Sequence, residues 1–191
     1  MTKAELRKLY LEKRASLPLA DASVMSGRIA QRFFDNLDLD RVRTVHAFIR
    51  MPKFNEIDTS AIYFRLWRDR PDIVTVAPRT DRDPGEIESV VFDRSTDWSE
   101  NRWAVREPLE GDVVPPAKID VVLVPLLCFD TQLQRVGYGK GFYDRFLSHC
   151  RPDCLKVGLS YFPPIDEISE TGRHDIKLDI CITPDAVVHG Q

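Results

Sequence analysis

The sequence predicts an α/β protein, a three-layer α/β/α sandwich with a mainly parallel central sheet. Segments with helical periodicity and strand-like apolar segments alternate along the 191 residues, without internal repeats or low-complexity linkers. The most apolar segment, KIDVVLVPLLCFD (118–130), is unbroken, as expected for a strand buried on both faces of a parallel sheet. These patterns predict a single domain over residues 1–191, with a ligand site at the carboxyl ends of its strands.

Four helices are predicted, because apolar residues recur at helical spacing in four segments. The segments are KAELRKLYLEKRASL (3–17), PLADASVMSGRIAQRFFDNL (18–37), DTSAIYFRLWRD (58–69) and residues 141–149. Short polar residues at helix starts are expected to be N-caps. The second helix should have Asp21 or Ser23 in this position, and the third should begin at an Asp58/Thr59 cap.

Six segments are predicted to be strands. They are RTVHAFI (43–49), DIVTVAP (72–78), ESVVFD (88–93), KIDVVLVPLLCFD (118–130), CLKVGLSYF (154–162) and HDIKLDICITP (174–184). ESVVFD is expected to be an edge strand followed by a long loop, because turn-forming residues follow it. Pro125 is expected at the end of its strand. HDIKLDICITP alternates apolar and polar residues, which predicts a half-buried strand.

Composition excludes several classes of protein. Lys and Arg total 27 against 30 Asp and Glu, a net charge of −3, so the chain lacks the basic excess of a general nucleic-acid or membrane-surface binder. No apolar run reaches the roughly 20 residues that span a bilayer, and the charged amino terminus does not resemble a signal peptide. We therefore expect a cytoplasmic protein with reduced cysteines. We also expect a monomer or weak dimer that acts on small molecules.

The stretch RVGYGKGFYDR (135–145) follows the most apolar strand and leads into the fourth predicted helix. Gly137, Gly139 and Gly141 permit unusual backbone angles and close approach of N–H groups to a ligand. A glycine-rich turn at a helix N-terminus is a ready anion site, and Arg135 and Lys140 add positive charge.

The same stretch matches neither common nucleotide-binding motif. Lys140 is followed by Gly141 rather than Ser or Thr, which excludes a P-loop, and the Gly-x-Gly-x-Gly spacing differs from the Rossmann fingerprint. From these residues alone, a tight strand-to-helix connection is as good an interpretation as an anion site. In that interpretation, the only role of Asp144 is its favourable interaction with the helix dipole from the first helical turn.

A longer stretch, VPLLCFDTQLQRVGYGKGFYDRFL (124–147), closely resembles the hallmark of the 5-formyltetrahydrofolate cyclo-ligase, or methenyltetrahydrofolate synthetase, family. Further segments similar to the family follow in family order: KAELR (3–7), MPKFNEIDT (51–59), WAVREP (103–108) and HDIKLD (174–179). The resemblance thus spans nearly the whole chain. Two residues depart from the usual pattern, Gln134 where glycine is common and Val136 where leucine is frequent.

The resemblance implies an ATP- and Mg²⁺-dependent closure of 5-formyltetrahydrofolate into 5,10-methenyltetrahydrofolate, with release of ADP and phosphate. In the family the formyl oxygen is thought to attack the γ-phosphate, giving an N5-iminium phosphate to which N10 adds. Such a step needs cations and in-line positioning more than an acid–base pair.

The resemblance also implies an ATP site, formed by Lys3, Arg7, Arg135, Val136, Gly137, Tyr138, Gly139, Lys140, Gly141, Phe142 and Tyr143. Lys140 and Arg135 are the implied catalytic cations, with Lys140 stabilising charge on the transferring phosphoryl group. Lys3 and Arg7 are four residues apart and share a helical face. Without the resemblance, they would be interpreted as part of a solvated face.

Two aspartates, Asp144 and Asp175, match the family positions that hold Mg²⁺, and two carboxylates with waters and phosphate oxygens suit this ion. For Asp175 the alternative is a turn residue that pairs with His174 or Arg173, and His174 is expected to be structural.

The implied substrate-binding residues are Met51, Glu56, Trp103 and Tyr143. The Glu56 carboxylate can accept paired hydrogen bonds from the donor edge of a pterin ring, and Trp103 can form an apolar wall beside it. The alternatives are a loop acid for Glu56, a core residue for Met51 and plain packing for Trp103.

Two other functions are alternatives to this interpretation of the sequence. The first is a sugar-phosphate isomerase or coenzyme A transferase, because the predicted fold is Rossmann-like and related to the fold of those enzymes, and a fold alone does not decide function. A non-catalytic nucleotide-binding or regulatory protein is the second alternative. The joint presence of Glu56, Lys140, Asp144 and Asp175 favours the enzyme.

Overall fold

The computed structural model describes residues 1–80, 85–101 and 104–190. Its helices are α1 (Lys3–Ala15), α2 (Leu19–Asn36), α3 (Ser60–Asp69) and α4 (Phe142–Ser148), with 3₁₀ turns at Pro52–Phe54 and Pro116–Lys118. Its strands are β1 (Thr44–His46), β2 (Val74–Arg79), β3 (Glu88–Val91), β4 (Trp98–Glu100), β5 (Arg106–Pro108), β6 (Val113–Val114), β7 (Val121–Pro125), β8 (Cys128–Phe129), β9 (Arg135–Val136), β10 (Leu155–Leu159), β11 (Ile180–Ile182) and β12 (Val187–His189).

An eight-stranded sheet forms the centre, in the order β12-β11-β10-β7-β1-β2-β3-β6. The run from β11 to β2 is parallel, whereas β12, β3 and β6 pair antiparallel towards the two edges. The mainly parallel sheet predicted from the sequence is therefore confirmed. Pro125 is the last residue of β7, as expected.

Helices cover both faces of this sheet. In β7, Val121 and Leu123 belong to the apolar cluster that includes α2 and α3, whereas Val122 and Val124 belong to the cluster that includes α4. The unbroken apolar sequence of β7 follows from this double burial. In the part of the chain that the structure describes, no helix has the length and apolar character needed to cross a membrane.

The two capping predictions had different outcomes. Helix α3 begins at Ser60 with Thr59 at its N-cap, and Asp58 accepts the Ser60 N–H at 3.0 Å, as predicted. The N-cap predicted for α2 is wrong. This helix begins at Leu19 after Pro18, so Asp21 lies inside its first turn, where a carboxylate interacts favourably with the helix dipole.

ESVVFD is not an edge strand. Strand β3 pairs with β2 on one side and with β6 on the other, since Val113–Val114 returns to the sheet after the β4–β5 hairpin. The edges of the sheet are β6 and β12 in the described chain.

HDIKLDICITP is a strand only at Ile180–Ile182. Upstream, its backbone donors bond elsewhere: the Ile176 N–H donates to Asp144 at 3.1 Å, and the Leu178 N–H donates to the Leu133 carbonyl at 3.1 Å. Asp175 therefore lies in a loop rather than at the head of a strand.

Gly158, in β10, leaves no room for a side chain. A Cβ atom there would collide with Leu178 and lie 2.8 Å from Leu126 Cδ2. We expect Gly158→Ala to lower the free energy of unfolding by about 1–3 kcal/mol through overpacking. Gly27 in α2 has no atom within 4 Å of the position where a Cβ would lie. Gly27→Ala should therefore raise the free energy of unfolding by about 0.5–1 kcal/mol. Urea unfolding measures both changes, and equal effects of the two variants would contradict the packing at Gly158.

Candidate active site

Two adjoining cavities, of about 600 and 470 Å³, lie where the glycine-rich turn meets α1 and the loop at residues 170–176. Gly141, Asp144 and Asp175 line both of them. Lys3 and Arg7 line the smaller cavity, and Arg145, Arg173 and His174 line the larger one. Residues that the resemblance assigned to a nucleotide site and to a metal site therefore converge here, although they are far apart in the chain.

A hairpin of β8 and β9 delivers the chain to the glycine-rich turn, so the turn does not follow β7 directly. Asp130 builds this hairpin, because its carboxylate accepts the N–H groups of Gln132 at 3.0 Å and Gln134 at 2.9 Å. The same carboxylate accepts the Ile168 N–H at 2.9 Å. Gln134, one of the departures from the family pattern, thus contributes its backbone to the hairpin.

Positive φ angles explain two of the glycines in the turn. Gly139 has φ 85° and Gly141, which precedes α4, has φ 69°, both in the left-handed region. A Cβ at Gly139 would lie 3.0 Å from Arg7 Nε, and one at Gly141 would lie 2.9 Å from an Arg145 nitrogen. The backbone of the turn therefore packs directly against cationic side chains.

Helix α1 presents Lys3 and Arg7 to this turn. A capping box between Thr2 and Glu5 fixes the start of the helix. Arg7 Nε donates to the Gly137 carbonyl at 2.9 Å, and the Lys3 ammonium pairs with Asp175. Lys3 and Arg7 are therefore tied to the cavity rather than forming a solvated face.

The two aspartates expected to hold a metal are each bonded to a cation. Asp144 accepts from Arg135 at 2.7 Å, and Arg135 is only 8% exposed. Asp175 accepts the Gly172 N–H at 2.6 Å. Burial pushes the pKa of Asp175 upward, but the Lys3 ammonium and the Gly172 N–H outweigh it and hold that pKa below its ordinary value.

The two aspartates fit Mg²⁺ in ligand type and number. No group of three or more His, Cys, Asp or Glu side chains able to hold a metal occurs within the described ranges. Magnesium needs fewer protein ligands, since one or two carboxylates with waters and phosphate oxygens suffice. Asp144 and Asp175 line the same cavities and supply that pair. Asp175 does not pair with His174 or Arg173, which bond to each other at 3.0 Å.

The two expected catalytic cations differ in environment. Lys140 is exposed on the turn, between the cavity-lining Gly139 and Gly141, and its carbonyl accepts from Arg145 at 3.2 Å. Arg135 is buried and holds Asp144 and the Ile176 carbonyl. Lys140 is thus the more available of the two to an incoming anion.

The remaining residues expected to contact ATP contribute in different ways. Val136 is fully buried in the cluster that packs α1 on the hairpin, so its side chain does not face a ligand. Phe142 is half-buried at the start of α4. Tyr138 turns its ring towards Phe54, with ring centroids 5.3 Å apart.

Glu56 is buried, only 3% exposed, and bonded through both oxygens. Its Oε2 accepts the Met51 N–H at 2.9 Å, and its Oε1 accepts the Tyr138 hydroxyl at 2.8 Å. Burial raises the pKa of Glu56 above its ordinary value, although the Arg14 charge and both hydrogen bonds oppose this effect. Glu56 therefore belongs to a buried, hydrogen-bonded polar cluster and is not a solvent-exposed acidic residue of a loop.

Sequence reasoning missed two buried polar residues next to the site. Arg14 follows Leu6 and Tyr10 at a spacing of four on the buried face of α1, and that spacing could have revealed it. His46 lies 3.0 Å from the Ser89 hydroxyl and 3.3 Å from the Tyr143 hydroxyl. Burial lowers the pKa of His46 to about 3, so its ring is neutral. Trp103 lies outside the described residues, and its proposed contact with the substrate stays a prediction.

The chain is similar to known proteins along its length. The model of the 5-formyltetrahydrofolate cyclo-ligase family matches residues 1–184. The 5-formyltetrahydrofolate cyclo-ligase of Escherichia coli K12 is 27% identical over 181 residues, which cover 92% of this chain and 97% of that protein. The Mycoplasma pneumoniae protein of the same name is 28% identical over 184 residues, covering 95% and 98%.

Solved structures agree with these sequence matches. The 5,10-methenyltetrahydrofolate synthetase of Mycoplasma pneumoniae superposes with a TM-score of 0.76 at 26% identity, covering 96% of this chain and 99% of that one. The Aquifex aeolicus synthetase superposes with a TM-score of 0.84 at 25% identity, covering 99% and 93%. Because the family model matches residues 1–184 of the 191, the chain belongs to the 5-formyltetrahydrofolate cyclo-ligase family, whose members are ligases.

Proposed function

We propose that this protein uses ATP and Mg²⁺ to close 5-formyltetrahydrofolate into 5,10-methenyltetrahydrofolate, with release of ADP and phosphate. One observation carries the proposal: α1, the glycine-rich turn and the loop at residues 170–176 meet around shared cavities, and each brings residues that the family resemblance assigns to ATP or to the metal. Membership of the family and the names of the relatives support the same reaction.

The chemistry requires activation of the formyl oxygen, which is a poor leaving group. That oxygen attacks the γ-phosphorus of ATP as the bond from the γ-phosphorus to the β-bridging oxygen breaks and ADP leaves. The product is an N5-iminium phosphate, to which the N10 amine adds. Loss of the N10 proton and departure of phosphate then leave the methenyl bridge. The protein contributes mainly positioning and charge to these steps.

The residues of the cavity divide the phosphate contacts among them. Lys3, Arg7 and the backbone of the glycine-rich turn bind the phosphates, and Lys140 stabilises charge on the transferring phosphoryl group. Arg135 keeps Asp144 in place. Asp144 and Asp175 would hold Mg²⁺, which when bound neutralises and orients phosphate oxygens.

The folate is proposed to bind on the side of the turn where Glu56 lies. Glu56 accepts hydrogen bonds from the donor edge of the pterin, with Met51, Trp103 and Tyr143 in contact with the substrate. The protein is further proposed to act as one domain, as a monomer or weak dimer in the cytoplasm, on small-molecule substrates.

The proposal is tested by mixing the protein with ATP, Mg²⁺ and 5-formyltetrahydrofolate and following the strong absorbance of the methenyl product. We expect absorbance to rise at a rate proportional to protein concentration, and to stay flat when ATP or Mg²⁺ is omitted. A flat trace from folded protein in the complete mixture rejects the enzyme. If that protein still binds ATP in calorimetry, a non-catalytic nucleotide-binding protein becomes the better assignment.

A further inference from the structure

Arg14, Tyr138 and Glu56 form a buried hydrogen-bonded chain beside the candidate active site. Arg14 is 1% exposed and donates to the Tyr138 hydroxyl oxygen at 3.0 Å. That hydroxyl lies 2.8 Å from Glu56 Oε1. The three residues come from α1, the glycine-rich turn and the segment after β1, so the chain connects three parts of the site.

The direction of this chain is fixed by chemistry. A guanidinium can only donate, so the Tyr138 oxygen must accept from Arg14, and its single proton must go to Glu56. Burial, followed by the negative charge of Glu56, raises the pKa of Tyr138 far above its ordinary value. The phenol therefore keeps its proton and remains a donor to the carboxylate.

Such a cluster is a poor way to stabilise a protein. Each buried ion loses several kcal/mol of hydration, and apolar residues of similar volume often stabilise as well or better. Leu6 and Tyr10, on the same face of α1 as Arg14, are buried apolar residues. A buried charged cluster of this kind is therefore a candidate for a functional role rather than a source of stability.

The two hydrogen bonds do not use the full accepting capacity of that carboxylate. A carboxylate offers about four lone-pair directions on its two oxygens. Tyr138 occupies one on Oε1 and the Met51 N–H occupies one on Oε2. Counting only the described residues, one direction on each oxygen remains, which suits paired N–H donors such as those of a pterin edge. The two intramolecular bonds also hold the carboxylate plane in one orientation.

We infer that Tyr138 is a positioning residue for folate recognition, whose hydroxyl orients the Glu56 carboxylate and favours its ionised form. This role rests on the function proposed above. Tyr138 acts through Glu56, while its backbone remains part of the turn between Gly137 and Gly139. Arg14 and Tyr143 are the other titratable side chains of the described residues that interact electrostatically with Glu56.

The Tyr138→Phe variant tests this role, because it keeps the ring packed on Phe54 and removes only the hydroxyl. A hydrogen bond to a charged group contributes about 1.5–3 kcal/mol, so kcat/KM for 5-formyltetrahydrofolate should fall about 10- to 100-fold. The KM for ATP should stay within about twofold, since no phosphate contact is removed.

The pH profile separates positioning from a purely structural role. The hydroxyl stabilises the ionised carboxylate, so its removal raises the pKa of Glu56. The acid limb of kcat/KM for the folate should therefore move to higher pH in Tyr138→Phe. Tyr161→Phe is the matched control. It removes a buried hydroxyl that touches the Glu56 carbonyl at 3.2 Å but not the carboxylate, so its acid limb should coincide with that of the parent.

The outcomes are distinct. If the parent protein shows no turnover, the proposed function fails and the role of Tyr138 fails with it. If the parent turns over but Tyr138→Phe keeps the parent's folate kcat/KM and acid limb, the role of Tyr138 is wrong while the function stands. Should Tyr138→Phe not fold, Glu56→Gln decides: its acid limb should disappear, and a persisting limb contradicts the inference.

Discussion

Replacing Lys140 by alanine should lower kcat about 10²- to 10³-fold, the usual loss when one group that stabilises transition-state charge is removed. Lys140 is exposed on a turn whose flanking glycines, Gly139 and Gly141, line the smaller cavity. Its ammonium can therefore meet the transferring phosphoryl group without first leaving a buried partner. Initial rates of methenyl formation at saturating ATP measure the change.

The control for this variant is Lys118→Ala. Lys118 is also exposed, but it lies in the 3₁₀ turn that precedes β7, at the opposite end of that strand from the glycine-rich turn. We expect parental rates from Lys118→Ala and parental unfolding curves from both variants. Turnover of Lys140→Ala above one tenth of the parental rate would refute the catalytic role of Lys140.

Replacing Arg14 by methionine should lower the free energy of unfolding at neutral pH by about 3–5 kcal/mol, because it leaves the Glu56 charge buried without its cation. The folded-state pKa of Glu56 is already raised by burial, and Arg14 is the first of the groups that oppose this. Without Arg14 that pKa rises further. The full decrease in the free energy of unfolding should be observed at pH values well above the folded-state pKa of Glu56 in the variant.

The same variant should show a characteristic dependence on pH. A carboxyl group with a raised pKa favours folding in its protonated form, so the penalty shrinks as pH falls towards its ordinary value of about 4.3. Urea unfolding of parent and variant between pH 4 and pH 8 measures the difference. Arg68→Met, which removes an exposed partner of Asp69, should leave the unfolding midpoint unchanged. A penalty for Arg14→Met that is independent of pH would show that Glu56 is not its electrostatic partner.

The sequence predicted the sheet well because the signal is local. Strand β7 is apolar throughout because it is buried on both faces of the sheet. Its sequence can therefore be recognised as a buried strand without knowledge of its partners. The errors concern partners that are distant in sequence. Val113–Val114 is too short to be recognised, yet it covers β3. Ile176 and Leu178 alternate like a strand but donate to Asp144 and Leu133 instead.

The candidate site was accessible from the sequence only in part. The glycine-rich turn was recognisable by composition, and the resemblance supplied Lys3 and Asp175. Their ion pair joins residues 172 positions apart, a contact that no periodicity can predict. The partnership of Arg14 with Tyr138 and Glu56 was missed for the same reason, since it depends on how α1 docks across the turn.

The docking of α1 links substrate occupancy to the integrity of the fold. This one helix holds Asp175 through Lys3, the Gly137 carbonyl through Arg7 and the Tyr138 hydroxyl through Arg14. Local detachment of α1 would dismantle the site while leaving the central sheet intact. Under the proposed function, ATP would bind only the assembled form, so saturation with ATP would raise the free energy of detachment by RT ln(1 + [L]/Kd). Saturating ATP would thus protect the amino-terminal helix from proteolysis, and this helix would be the first segment to become accessible when ATP is depleted.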